Sequence, residues 1–454
     1  METINLTSTA SLARELCPMI KKAKLFKTVW SKSNVIDVTN NTIRIGGELK
    51  ESPRSYDFWH SMCSYQDSFP ATLASYFIKH FSETGDVILD PFSGRGTTLL
   101  EARILNRKSV ATDLNPIAIA LSEAKNTNFS KQEIFARIEQ LEKSYDPALY
   151  FPEALAQPDE IHLIFHPRTL AQLCYLKRKF VKSKLPVDKY LIGCVLGIMH
   201  GGERKDGTSG YLSISMPNTF SMSPDYVRRF VQTKQLNREF RDVFKIIRDK
   251  TDRLFDKHTP LKQSGIVLTA DAKSLSTNEG LKPYLGKVNL IITSPPYLGI
   301  VNYAKQNWIR SWLLNKASLE VSNELDDDLN LTEWVEFSTK VIKELKALMR
   351  KDGVAVFVIG DVAKSKTSVV PLAREFCSMV KEANLFKNIW CISDVIDSAD
   401  KTTRIWGESK GSATAIDRIV ILSDINPFEK FKTDGSFETL DYDFVLKSTK
   451  SFIS

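Results

Sequence analysis

Two short stretches hold residue types whose order could do chemistry. The first is Asp90-Pro91-Phe92-Ser93-Gly94-Arg95-Gly96-Thr97, placed after the apolar run Val87-Ile88-Leu89. Gly94 and Gly96 let a backbone come close to a ligand, and Thr97 opens a helix whose first N–H groups point outward. Asp113 closes the next short apolar run, 23 residues after Asp90. An open α/β sheet sets an acid against ribose hydroxyls at that place. The competing reading of the stretch is a tight turn between packed elements. No Gly-Lys-Ser/Thr follows, so this is not a nucleoside triphosphate loop.

The second stretch is Thr293-Ser294-Pro295-Pro296-Tyr297, which ends the β-branched run Ile291-Ile292. Two adjacent prolines remove two backbone donors and fix two φ angles. That stiffness lets the Ser294 hydroxyl and the Pro295 carbonyl face one point, with Tyr297 flat beside it. Two acceptors and an aromatic plane suit a planar base carrying an exocyclic amino group. The acceptors would take its N–H bonds and free the nitrogen lone pair to attack a methyl group. The ring would stack on a base turned out of its duplex. The competing reading is a proline-kinked strand exit with a core tyrosine.

Both stretches need strands to carry them. Near-continuous apolar runs fall at 85–90, 109–113, 265–271, 288–293 and 353–361. Helical patterns lie between them, including one from Thr97 and one over 333–353 that Gly353 is expected to stop. Apolar strands alternating with helices predict an α/β fold, a mostly parallel sheet with helices on both faces. Ligands then belong at the carboxyl ends of the strands. Residues 130–264 read as a mainly helical insert. Ser223-Pro224-Asp225 caps a helix there, with Val227, Phe230, Val231, Phe240, Val243, Phe244 and Ile247 on one stripe.

Composition narrows the class. The 454 residues are 43% hydrophobic and 26% charged, as in ordinary globular chains. No apolar stretch is long enough to span a bilayer, and the N-terminus lacks a signal-peptide pattern. Six scattered cysteines without a Cys-x-x-Cys pair argue for reduced thiols and against a structural zinc; no metal and a cytoplasmic location are expected. Of the net charge of +8, residues 161–265 carry twenty Lys+Arg against nine Asp+Glu, or +11, leaving −3 elsewhere. A basic block of that kind reads as a polyanion-binding surface or as a solvated helical face. A self-comparison adds a partial duplication: 12–52 and 372–412 are identical at 23 of 41 positions, including Cys17/Cys377 and Trp30/Trp390.

Together the two stretches resemble the cofactor and catalytic motifs of amino-group DNA methyltransferases that use S-adenosylmethionine. The resemblance implies a Rossmann-like methyltransferase fold with a helical basic insert. It also implies that Asp90, Phe92, Gly94, Gly96, Thr97 and Asp113 hold the cofactor. "SFPATLASYFIKHF" is similar to the helix those enzymes set over the methionine end, which adds Phe69 and Pro70. "LTADAKSL" is similar to their third motif, with Asp271 near the adenine. Ser294, Pro295, Pro296 and Tyr297 become catalytic, and a serine before the prolines resembles the N4-cytosine branch. The chain is expected to divide into 1–55 (duplicated segment), 56–129 (cofactor half), 130–264 (target recognition), 265–425 (catalytic half) and 426–454 (tail). Arg204, Lys205 and Asn218, within "RKDGTSGYLSISMPNTF", are the candidate DNA contacts. Double-stranded DNA, a cognate restriction endonuclease acting on the same site, a monomeric state and no membrane complete the expectation. Adenine-N6 methylation is the runner-up, ahead of RNA base methylation and of an inactive DNA-binding homologue. Ring-carbon methylation needs a nucleophilic cysteine, and no Pro-Cys step occurs.

Overall fold

A computed structural model describes residues 57–427, apart from 66–67, 205, 217–221, 262, 264, 299–302, 317–324, 327, 361, 366–367 and 396–415. The first copy of the duplication, Lys205, Asn218 and nearly all of the expected tail lie outside the described residues. In chain order the elements begin with α1 (Ala71–Phe81), β1 (Val87–Asp90), α2 (Thr97–Ile104), β2 (Lys108–Asp113) and α3 (Pro116–Lys125). Among the described residues of the insert, six helices longer than one turn follow: α4 (Lys131–Lys143), α5 (Pro147–Leu155), α6 (Pro167–Lys182), α7 (Pro186–Ile198), α8 (Pro224–Lys234) and α9 (Val243–Asp256). The sheet resumes with β3 (Ile266–Thr269) and β4 (Val288–Thr293), then α10 (Trp308–Leu313), α11 (Leu331–Leu348) and β5 (Met349–Gly360). The small hairpin β6 (Val362–Ser365) and β7 (Ser368–Val370), α12 (Leu372–Glu382), β8 (Asn388–Val395) and β9 (Ile416–Ser423) close the described chain.

Among the described residues, seven strands form one sheet in the order β3-β2-β1-β4-β5-β9-β8. The first five run parallel, while β9 lies antiparallel to both β5 and β8. Alternation along β4 and β5 sends side chains to two covered faces. Leu290, Ile292, Val354 and Val356 meet Phe77, Ile78 and Phe81 of α1. Ile291, Ala355 and Phe357 meet Trp334, Val341 and Leu345 of α11 and Phe376 of α12. Burying each large apolar side chain there contributes about 1.5–3 kcal/mol, and burial on both faces explains why these strands read as unbroken apolar runs.

Three local readings change. The helix over 333–353 ends at Leu348, and β5 begins at the next residue. Gly353 therefore does not stop a helix. It lies where β5 passes β4, and a Cβ there would sit 3.0 Å from the Val288 carbonyl. The stripe from Val227 to Ile247 is split between α8 and α9, because Gln235 turns left-handed at φ 48 and ends α8. Phe240 falls in the link, exposed, with the Arg168 guanidinium 4.0 Å from its ring centroid. Ser223 does cap α8, accepting from the Tyr226 N–H.

The insert does not stand apart from the sheet. One apolar core joins its helices to Trp59, Met62 and Cys63, to Leu121 and Ala124 of α3, and to Ile309 and Leu313 of α10. Contact is closest at α7, where a Cβ on Gly197 would lie 1.8 Å from the Met62 carbonyl oxygen.

Candidate active site

The strand order reverses between β1 and β4, which leave β1 toward β2 on one side and β4 toward β5 on the other. Such a switch point opens a crevice at the carboxyl ends of the strands. A cleft of about 850 Å³, its open mouth included, lies there. Its walls come from the turn after β1, the ends of β2 and β3, and the first residues after β4. Phe69, Asp90, Phe92, Gly94, Thr97, Asp113, Asp271, Ser294 and Pro296 all line it. Residues almost 230 apart in sequence are thus brought to one place by the sheet.

The turn after β1 is built by its own polar groups. Gly94 and Gly96 take φ of +48 and +74, and Gly96 forms the N-terminal boundary of α2. The Gly94 N–H donates to Asp113 Oδ2 at 2.9 Å, and the Asn115 N–H donates to Asp113 Oδ1 at 2.9 Å. Asp113 therefore holds the glycine turn through Oδ2 and the start of α3 through Oδ1, one lone pair each, and a carboxylate has about four acceptor sites. Asp90 is fully inside, and its Oδ1 accepts from the Phe92 N–H at 3.1 Å and from the Thr293 hydroxyl at 2.7 Å. Burial pushes both carboxyls up to about 6, against which these hydrogen bonds pull. The Thr293 bond ties the cofactor-type turn to the strand that carries Ser294.

Around Ser294 three oxygens have assigned neighbours. The Trp334 indole N–H donates to the Pro296 carbonyl at 2.7 Å. The Tyr297 hydroxyl donates to the Val358 carbonyl at 3.3 Å and lies 3.2 Å from Ser294 Oγ. Pro295 is buried, and no described residue donates to its carbonyl. Across the cleft, Lys273 bridges Asp271 at 3.4 Å and Asp326 more closely, with its ammonium 5.5 Å from the Phe337 ring centroid. Phe337 in turn lies 5.9 Å from Phe92.

A sequence profile of a DNA methylase family acting at N6 and N4 amino groups matches residues 6–124 and 288–434, more than half of the chain. The chain belongs to that family. Among curated methylases, it is 28% identical over 134 residues to the type II methyltransferase M.MjaII of Methanocaldococcus jannaschii. That match takes 29% of this chain and 25% of the relative. The type II methyltransferase M.BsoBI of Geobacillus stearothermophilus is 34% identical over 87 residues, 19% of this chain and 16% of its own. The matched stretches thus span about a quarter or less of these relatives. Among solved structures, TrmN from Thermus thermophilus aligns over 81% of this chain and 52% of its own at 11% identity, with a TM-score of 0.31. The fold assignment accordingly rests on strand order. The methylase profile leaves out residues 125–287, which contain the whole helical insert.

Not every expected methylase residue reaches the cleft: Pro295 and Tyr297 are not among its lining residues, and Tyr297 packs against the core around Trp334 and Phe337. Gly96 is buried beneath it, against Ser122. Pro70 is exposed, setting the start of α1. Arg204 is exposed on its loop, where its backbone pairs with Thr208. The described part of the neighbouring extended piece, 211–216, is core instead of surface: Leu212, Ile214 and Met216 are buried. Part of the insert's positive charge is structural too. Arg241 is buried and donates to the Tyr211 and Ser213 carbonyls, and the Lys250 ammonium donates to the Ser61 carbonyl. Conversely, Tyr65, Asn115, Asp326 and Phe337 line the cleft without having been singled out. Asn115 carried the one available signal, its place two residues beyond Asp113; it caps α3 and donates to the Tyr65 hydroxyl at 3.0 Å.

Proposed function

We propose that this chain is a site-specific DNA methyltransferase that methylates the exocyclic amino group of cytosine in duplex DNA. The observation that carries the proposal is the meeting of Asp90, Gly94 and Asp113 with Ser294 and Pro296 around one cleft. S-adenosylmethionine is the cofactor this family implies, and it supplies an electrophilic methyl group. The residues present fit it. Asp113 keeps acceptor sites for ribose hydroxyls, Phe92 and Phe337 offer apolar faces, and Asp271 stands at the adenine end. Ser294 Oγ and the Pro295 carbonyl accept the two amino N–H bonds, and the Tyr297 ring stacks on the base. Bound there, S-adenosylmethionine would supply the methyl group and leave as the thioether S-adenosylhomocysteine, while Ser294 and Pro295 would orient the amino nitrogen, whose proton would pass to solvent.

The branch assignment rests on the serine at 294. The named relatives are type II methyltransferases, which supports a role beside a restriction endonuclease recognising the same site. The basic face of the insert, with Arg204, Arg228 and Arg229 exposed, is the proposed DNA surface, acting through phosphates. Nucleosides from the DNA of a host expressing the protein should contain N4-methylcytosine by mass spectrometry. N6-methyladenine in its place would overturn the branch, and no modified base would overturn the function. Ser294→Ala should lower turnover about 100-fold with cofactor and DNA binding kept; binding lost in parallel would remove the role assigned to Ser294.

A further inference from the structure

A serine hydroxyl at the acceptor position carries a difficulty that a carboxylate would not have. Its hydrogen rotates, and if it pointed at the target nitrogen it would bind the lone pair that must attack the methyl group. The surroundings of Ser294 resolve this. The Tyr297 hydroxyl is 3.3 Å from the Val358 carbonyl and 3.2 Å from Ser294 Oγ. A carbonyl can only accept, so the single phenolic hydrogen goes to Val358. The contact between the two hydroxyls must then be Ser294 donating to Tyr297. With its hydrogen directed away from the cleft, Ser294 presents only lone pairs to a ligand. Both distances are at the long end for O–H···O bonds, as is common before a catalytic complex forms. Val358 lies near the carboxyl end of β5, paired with Ile419 of β9, so the end of the relay is fixed by the sheet.

We infer that the Tyr297 hydroxyl is a positioning group: through a Ser294→Tyr297→Val358 chain of hydrogen bonds it fixes Ser294 as a pure acceptor for the amino group. This role belongs to the hydroxyl and is separate from stacking by the ring. It rests on the reading of Ser294 as an amino-group acceptor.

Tyr297→Phe keeps the ring and removes the relay. Turnover should fall about 10-fold or more, with the KM for DNA and the affinity for S-adenosylmethionine within about twofold of the parent. The Ser294→Asp background supplies the control, because a carboxylate accepts without any hydrogen to direct. There Tyr297→Phe should change turnover by less than about twofold. An unchanged turnover for Tyr297→Phe in the parent would overturn the inference, as would an equal loss in both backgrounds. If Ser294→Asp has no measurable turnover, the decision passes to the parent background, where a loss confined to turnover sustains the relay and a loss of binding rejects it. Ser294→Ala, assayed alongside, separates the levels. Full activity in that variant would reject the acceptor role itself, whereas a large loss there with none in Tyr297→Phe would reject only the relay.

Discussion

Asp90 shows how one side chain sets conditions for a whole cleft. It is buried, holds the turn by accepting from Phe92, and holds β4 by accepting from Thr293. Burial raises its carboxyl from 3.8 to about 6, so the folded state keeps its proton to higher pH than the unfolded chain does. Below about pH 4 both states are protonated and the group is neutral toward stability. As pH rises from about 4 to about 6 the unfolded chain ionises first, and stability falls; above that range the loss is constant. Asp90→Asn retains an acceptor and removes the charge. It should therefore raise the unfolding free energy at pH 8 by about 3 kcal/mol, from about two pH units at 1.36 kcal/mol each. The gain should vanish near pH 3.5, as thermal melts across pH would read. An equal gain at both pH values would mean that ionisation is not the cause. From sequence, Asp90 was legible as a site residue because a strand, two glycines and a second acid framed it. Its bond to Thr293 was not, since nothing local marks a contact across 203 residues.

At the scale of elements, α11 ties the two halves of the site. Its start is fixed by a capping box, Asn330 Oδ1 accepting from the Glu333 N–H and Glu333 accepting from the Asn330 N–H. Trp334 and Phe337, three residues apart, then share a face. The first reaches Pro296 in the turn after β4, and the second reaches the cleft opposite Phe92. Trp334→Phe would leave the Pro296 carbonyl without that donor, and we expect it to cost about 1–3 kcal/mol of stability. Turnover should drop more than cofactor affinity changes, which chemical denaturation and steady-state kinetics would read together. A stability loss with unaltered turnover would confine Trp334 to a structural part. Strand bounds and caps were legible where local rules act alone, as at 288–293 and at Ser223. They failed where a residue serves two rules. Gly353 reads as a helix stop, yet its lack of a side chain is used for the passage of β5 against β4. Phe240 has the period of a core residue, but a left-handed Gln235 resets the phase before it.

For the whole molecule the main feature is the core that the insert shares with α2, α3 and α10. Composition and helical period announced the insert; charge suggested a polyanion-binding surface or a solvated helical face. What the sequence could not show is how α7 seats on Met62 and α3, because that fit depends on glycines whose value lies in what is missing. Gly197→Ala would set a Cβ 1.8 Å from a backbone oxygen. That clash cannot be relieved by a side-chain rotation, and we expect more than about 2 kcal/mol of destabilisation. The denaturation midpoint should fall for the chain as one unit. Two separate transitions, with only one of them shifted, would show that sheet and insert unfold independently. Their joint core has a consequence for descent as well as for stability. A segment rooted in the enzyme's interior cannot be traded between relatives as a cassette without tearing that interior open.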